Sequence, residues 1–134
     1  MTNQARGTFA VQLQPQEPED GAGTSGLARL TIAKQFAGDL VGTSTGQMLS
    51  AGTAVEGSAG YVALEQVQGT LHGRRGTCAL QHSGTVRRGA PQLRITVVPD
   101  SGTEALVGLA GEMTIVVADG QHTYDFTYTL DEPS

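Results

Sequence analysis

The chain has 134 residues and a net charge of −5, with eight basic side chains against thirteen acidic ones. That length suits one domain with a proper core, and the acidic balance argues against nucleic acid, which needs a basic stripe. A single cysteine, Cys78, excludes an intramolecular disulfide framework and a cysteine-based metal knuckle.

Hydrophobic residues make up 38% of the chain, tryptophan is absent, and nineteen glycines are spread along its length. Such scattered glycine fits many short strands and turns, not a collagen period or a disordered tract. No run of about 18 apolar residues occurs, and no basic region leads into an apolar one near the start. The expectation is a soluble cytoplasmic protein, with no membrane and no nucleic acid among its partners.

No stretch keeps a 3.6-residue apolar period, whereas period-two alternation recurs throughout. Phe9, Val11 and Leu13 alternate with Thr8, Ala10 and Gln12 in a first strand. Residues 14–26, with Pro15, Glu17, Pro18, Glu19 and Asp20, read as a mobile exposed loop. The next strand sets Leu30, Ile32, Lys34 and Phe36 on one face. A three-residue turn at Ala37-Gly38-Asp39 would then pair Phe36 with Leu40 and Lys34 with Gly42. The inner row becomes Leu40, Gly42, Ser44, Gly46 and Met48, its glycines leaving room or bending the sheet.

Residues 61–86 read as a hairpin closed at Gly73-Arg74, a tight II′ turn in which His72 pairs with Arg75. That register puts Glu65 directly opposite His82, on a face shared with Tyr61, Ala63, Val67, Cys78 and Leu80. Leu93, Ile95 and Val97 form the next strand, stopped by Pro99-Asp100-Ser101-Gly102. Glu104 to Gly111 fits a strand, a bend or a helical turn equally well. Asp119-Gly120 is a strong type I′ turn, setting Val117 opposite His122, Ile115 opposite Tyr124, Met113 opposite Phe126 and Gly111 opposite Tyr128.

About eight antiparallel strands in up-and-down order predict an all-β fold. A closed eight-stranded antiparallel barrel is the leading form, because closure removes exposed edges. A two-sheet sandwich gives the same alternation and is the second choice. The domain spans residues 1–134, with 1–5 and 131–134 expected to fray.

Glu65 and His82 on an inward face are candidates for general acid and base, with Tyr61 orienting a substrate oxygen. Lys34, the only lysine, sits between Ile32 and Phe36 on an apolar row and would have either a lowered pKa or an acidic partner, for which Glu65 is a candidate. Each has a plainer reading: a structural cross-strand pair, and a lysine whose stem is buried while its head reaches the rim. Ser44, Met48, Tyr124 and Phe126 join Tyr61 as residues expected to line a ligand cavity. His72, His82, His122 and Glu65 do not meet the convergence that zinc demands, so no metal is expected. The G-x-S-x-G match at 42–46 lies inside an alternating strand with no helix after it, and reads as accidental. Cys78 is about 13 Å along the strand from His82 and reads as a small buried hydrophobe.

Four blocks carry a resemblance: KQFAGDLVGTS at 34–44, GSAGYVA at 57–63 followed by Glu65, LQHSG at 80–84 and VVPDSGT at 97–103. Together they resemble a bacterial family known only as a domain of unknown function, DUF3224, with an allene-oxide-cyclase-like barrel. The resemblance implies a barrel similar to plant allene oxide cyclases and dirigent proteins. It also implies a cofactor-free activity that steers a small, mostly apolar molecule into one product. Trimers or dimers are common among such barrels, so a homo-oligomer is implied too. No catalytic motif of allene oxide cyclase has a counterpart here, and none is carried over. The expected function is a small-molecule-binding barrel, a cofactor-independent cyclase or isomerase. The alternatives are a non-catalytic carrier of a lipid-like or aromatic ligand, and an oligomeric barrel with a filled interior.

Overall fold

In the computed structural model, residues 2–16 and 27–130 are described. Eight strands follow in order: β1 (Asn3–Pro15), β2 (Leu27–Gly38), β3 (Leu40–Gly52), β4 (Ala59–Leu71), β5 (Arg74–Arg87), β6 (Ala90–Val97), β7 (Ala110–Ala118) and β8 (Gln121–Thr129). Each pairs antiparallel with its sequence neighbour, and β8 returns to pair with β1, closing the barrel. That last ladder excludes the sandwich. Within segment 14–26, Gln14 and Pro15 belong to β1, and 17–26 lies outside the described residues. Pairing also reaches into the segment expected to fray, since Asn3 lies opposite Tyr128 and Ala5 is fully buried.

The alternation read from the sequence points the expected side chains inward. Phe9, Ile32, Phe36, Leu40, Val67, Cys78, Leu80, Ile95, Val97, Met113, Phe126 and Tyr128 are all buried. The register of the hairpin at 119–120 is the one expected, with positive φ at both Asp119 and Gly120. Two other registers differ. The β4–β5 turn is His72-Gly73, both at positive φ, so Leu71 pairs with Arg74, Glu65 faces Leu80 and His82 faces Ala63. His72 tolerates the left-handed region because its N–H bonds the Asp39 carbonyl and its ring reaches the Tyr128 hydroxyl. Between β2 and β3, Phe36 faces Gly42 and Lys34 faces Ser44. Here Ala37 and Gly38 continue along β1, while Leu40 and Val41 already pair with β4, as barrel stagger requires. Both slips are of two residues, so every side chain keeps its face.

Gly42 lies directly across from Gly69, and a Cβ on either would fall within 2.3 Å of the opposing backbone. These glycines let β3 and β4 coil tightly at a barrel corner. The undecided segment is a 3-10 turn, Glu104–Leu106, which leads into β7. Together with Leu109 it seals the end of the barrel that also carries the Asp39 and His72 turns. The lower interior is packed. Its enclosed void, lined by Val67, Cys78, Leu80, Met113 and Phe126 among others, measures about 10 Å³, at the lower limit for one water.

The opposite end differs. Inward-row residues there stay partly open, with Leu13 47% and Leu93 38% exposed, and Leu30, Met48, Tyr61 and Ile115 half-buried. The barrel is also unevenly stitched. Strands β6 and β7 pair only at Ile95–Met113 and Thr96–Glu112. Among the described residues, no helix is long and apolar enough to cross a membrane.

Candidate functional site

Four neighbouring strands deliver one polar side chain each to a point inside the barrel. Lys34 comes from β2, Ser44 from β3, Glu65 from β4 and His82 from β5. All four are buried, Glu65 almost wholly, at 1% exposure. Alternation brings them together: Lys34 faces Ser44, and Gly46, with no side chain, faces Glu65 and leaves the carboxylate room.

The carboxylate is the hub. Its Oε1 accepts from Lys34 Nζ at 3.0 Å and from His82 Nε2 at 2.6 Å, and its Oε2 accepts from Ser44 Oγ at 2.5 Å. Burial by itself would raise the pKa of Glu65. The His82 hydrogen bond, the Lys34 charge and the Ser44 hydroxyl outweigh it and hold the pKa down to about 2. Glu65 is therefore ionised at neutral pH and can only accept hydrogen bonds. It is a poor acid or base and a good anchor. The Lys34 ammonium also lies 4.9 Å from the centre of the Phe9 ring and 5.9 Å from that of Phe36, so aromatic faces share its charge.

An acceptor-only carboxylate fixes the imidazole. Nε2 of His82 must carry a hydrogen to bond Oε1, so in the neutral ring the lone pair is on Nδ1. Among the described residues Nδ1 has no hydrogen-bond partner. Carboxylate, oriented imidazole and free nitrogen together form the arrangement that makes a histidine a directed base.

The other expected residues divide. Met48 and Tyr61 stand toward the open end from the cluster: Met48 faces Leu30 and Ala63, and the Tyr61 ring lies over Gly84. Burial raises the Tyr61 pKa. Ser44 is in the cluster, but its hydroxyl is given to Glu65, and the strand around it leaves no nucleophile elbow. Tyr124 is edge-on to Phe36, and its hydroxyl is committed elsewhere. It accepts from the Leu40 N–H at 2.9 Å and lies 2.9 and 3.2 Å from the Ala37 and Leu40 carbonyl oxygens. It clamps the β2–β3 turn. Phe126 stacks on Tyr128 in the packed lower core, away from the cluster. Burial, then Glu65, pushes the Cys78 thiol up to about 11, which leaves it inert.

The three histidines do different work. His72 bonds Tyr128 through Nδ1 at 2.5 Å and lies 3.5 Å from Asp39, tying two turns to β8 at the sealed end. His122 packs on Phe9, and His82 sits in the cluster. No three metal-ligating side chains converge among the described residues. Sequence reasoning missed Phe9 as a neighbour of Lys34, although its inward parity was readable. It also missed the Asp39–His72–Tyr128 tie, which required knowing that two distant turns share one end.

The architecture and this cluster define a closed eight-stranded barrel with a buried ionic centre. The chain belongs to the family described as "Protein of unknown function (DUF3224)", whose sequence model matches residues 5–128. It is similar to a crystal structure of a DUF3224-family protein of unknown function from Shewanella oneidensis MR-1. That likeness has 43% identity and a TM-score of 0.90, covering 98% of this chain and all of the other. None of the curated proteins matches.

Proposed function

We propose that this barrel binds a small, mostly apolar molecule in its open end, above the Lys34–Ser44–Glu65–His82 cluster. The observation that carries this reading is the contrast between the two ends. One is sealed by Leu106, Leu109 and the packed aromatics. At the other, inward-row residues Leu13 and Leu93 are exposed, and Leu30, Met48 and Tyr61 only half-buried, beside a buried ion cluster. Apolar surface left open in a concave place favours a ligand, and a few fixed polar groups at its floor favour one orientation.

A cofactor-independent isomerase or cyclase is the catalytic form of this reading, supported by the free nitrogen of His82. A carrier of a lipid-like or aromatic ligand is the non-catalytic form, supported by a carboxylate fully occupied by its own neighbours. The outer faces of β3 and β4 favour association of copies as well. Leu49 and Val62 pair across those strands and are exposed, with Leu64 beside them.

Methyl NMR titration with toluene and with decanoic acid tests the site. Binding should move the resonances of Leu13, Leu30, Met48 and Leu93 and leave those of Leu71, Leu106 and Leu109 in place. Shifts at neither end, or only at the sealed end, would refute it. Native mass spectrometry of protein from its own source would identify a resident ligand, and the same spectra give the number of copies.

A further inference from the structure

We infer that His82 abstracts a proton from the carbon next to a carbonyl group, with the Lys34 ammonium receiving the oxygen, so that the substrate class is a small apolar β,γ-unsaturated ketone. The inference rests on the binding reading above and adds chemistry to it.

Four observations converge. First, Glu65 Oε1 accepts from both Lys34 Nζ and His82 Nε2, at 3.0 and 2.6 Å, so ammonium and imidazole stand side by side on one oxygen. A ketone that bonds the first presents its α-carbon near the second. Second, the hydrogen on Nε2 leaves Nδ1 with a lone pair and no partner among the described residues, and Glu65 stabilises the imidazolium that forms. Third, Lys34 has three N–H hydrogens and spends one on Glu65; its other near neighbours are the Phe9 and Phe36 rings. The remaining hydrogens suit a developing enolate in low dielectric. Fourth, the nucleophiles are disarmed. Ser44 donates to a carboxylate too weakly basic to activate it, and the Cys78 thiol is buried. What remains is proton transfer.

The step balances without a cofactor. The carbonyl oxygen accepts a hydrogen bond from Lys34. Nδ1 of His82 takes the α-proton, the C–H electron pair becomes a carbon–carbon double bond, and the carbonyl pair moves to oxygen as an enolate. The imidazolium then returns its proton to the γ-carbon, the enolate reforms the carbonyl, and the double bond ends in conjugation. Nothing is oxidised or reduced.

The test uses β,γ-cyclohexenone in heavy water with the intact protein. Conjugation is followed by ultraviolet absorbance, and deuterium uptake and the Met48 methyl resonance by NMR. The wild-type protein should accelerate conversion about a hundredfold or more over free imidazole at equal concentration, the usual scale of a positioned base. His82→Gln keeps a donor for Glu65 and removes the base, so it should lose that acceleration while still shifting Met48. Lys34→Met should lose it as well. A wild-type protein whose Met48 resonance moves with no gain in rate overturns the inference and leaves the binding reading standing. Silence of Met48 toward this ketone overturns the substrate class, and if toluene and decanoic acid are silent too, the binding reading falls with it. Undiminished turnover in folded His82→Gln also overturns the assignment, whatever binds.

Discussion

Replacing Glu65 by glutamine removes the hub charge while keeping its size, and its cost depends on pH in a way the geometry fixes. The carboxyl titrates at about 2 in the folded protein against an ordinary 4.5. At about 1.4 kcal/mol per pKa unit, this depression is worth about 3 kcal/mol. The folded value is the lower one, so as pH falls the unfolded chain takes the proton first. The stabilisation is complete above about 5, drains away between 4.5 and 2, and is absent below. Removing one partner from a buried ion cluster costs about 3–5 kcal/mol by another route, because Lys34 is left buried without its anion. Urea unfolding followed by far-ultraviolet circular dichroism, from pH 7 to 2, should show Glu65→Gln about 3 kcal/mol less stable at neutrality. The two proteins should converge in acid. All other carboxylates are common to both, so the difference isolates Glu65. Parallel curves, with a constant gap down to pH 2, would refute the idea that the lowered pKa reflects this cluster.

Two further outcomes follow from neighbouring groups. Tyr124→Phe strands the Leu40 N–H and the turn carbonyls, and should lower stability by about 1–3 kcal/mol, read as a lower urea midpoint at unchanged slope. Cys78, buried and pushed up to about 11, should resist an aromatic disulfide reagent in the folded protein and react at once in urea; rapid labelling without denaturant would mean that the sealed end opens.

Parity was the legible part of this chain. Alternation alone assigned Lys34, Ser44, Glu65 and His82 to the interior, and closure of eight such strands made their meeting possible. Register was legible only where the turn was chemically unambiguous, at Asp119-Gly120. At His72-Gly73 the deciding contacts are with Asp39 and Tyr128, which are distant in sequence, and at Ala37–Asp39 barrel stagger gives each strand different partners on its two sides. The fate of the Tyr124 hydroxyl was hidden for the same reason. A tyrosine on an inner row reads as cavity lining until the turn it clamps is placed above it. Position in three dimensions, not residue type, separated the groups around Glu65 from those that merely share their face.

The short ladder between β6 and β7 has a mechanical consequence. A cylinder whose staves are joined at only Ile95–Met113 and Thr96–Glu112 on one side, and by at least seven residue pairs at every other seam, parts there first. Its amides should be the earliest to exchange.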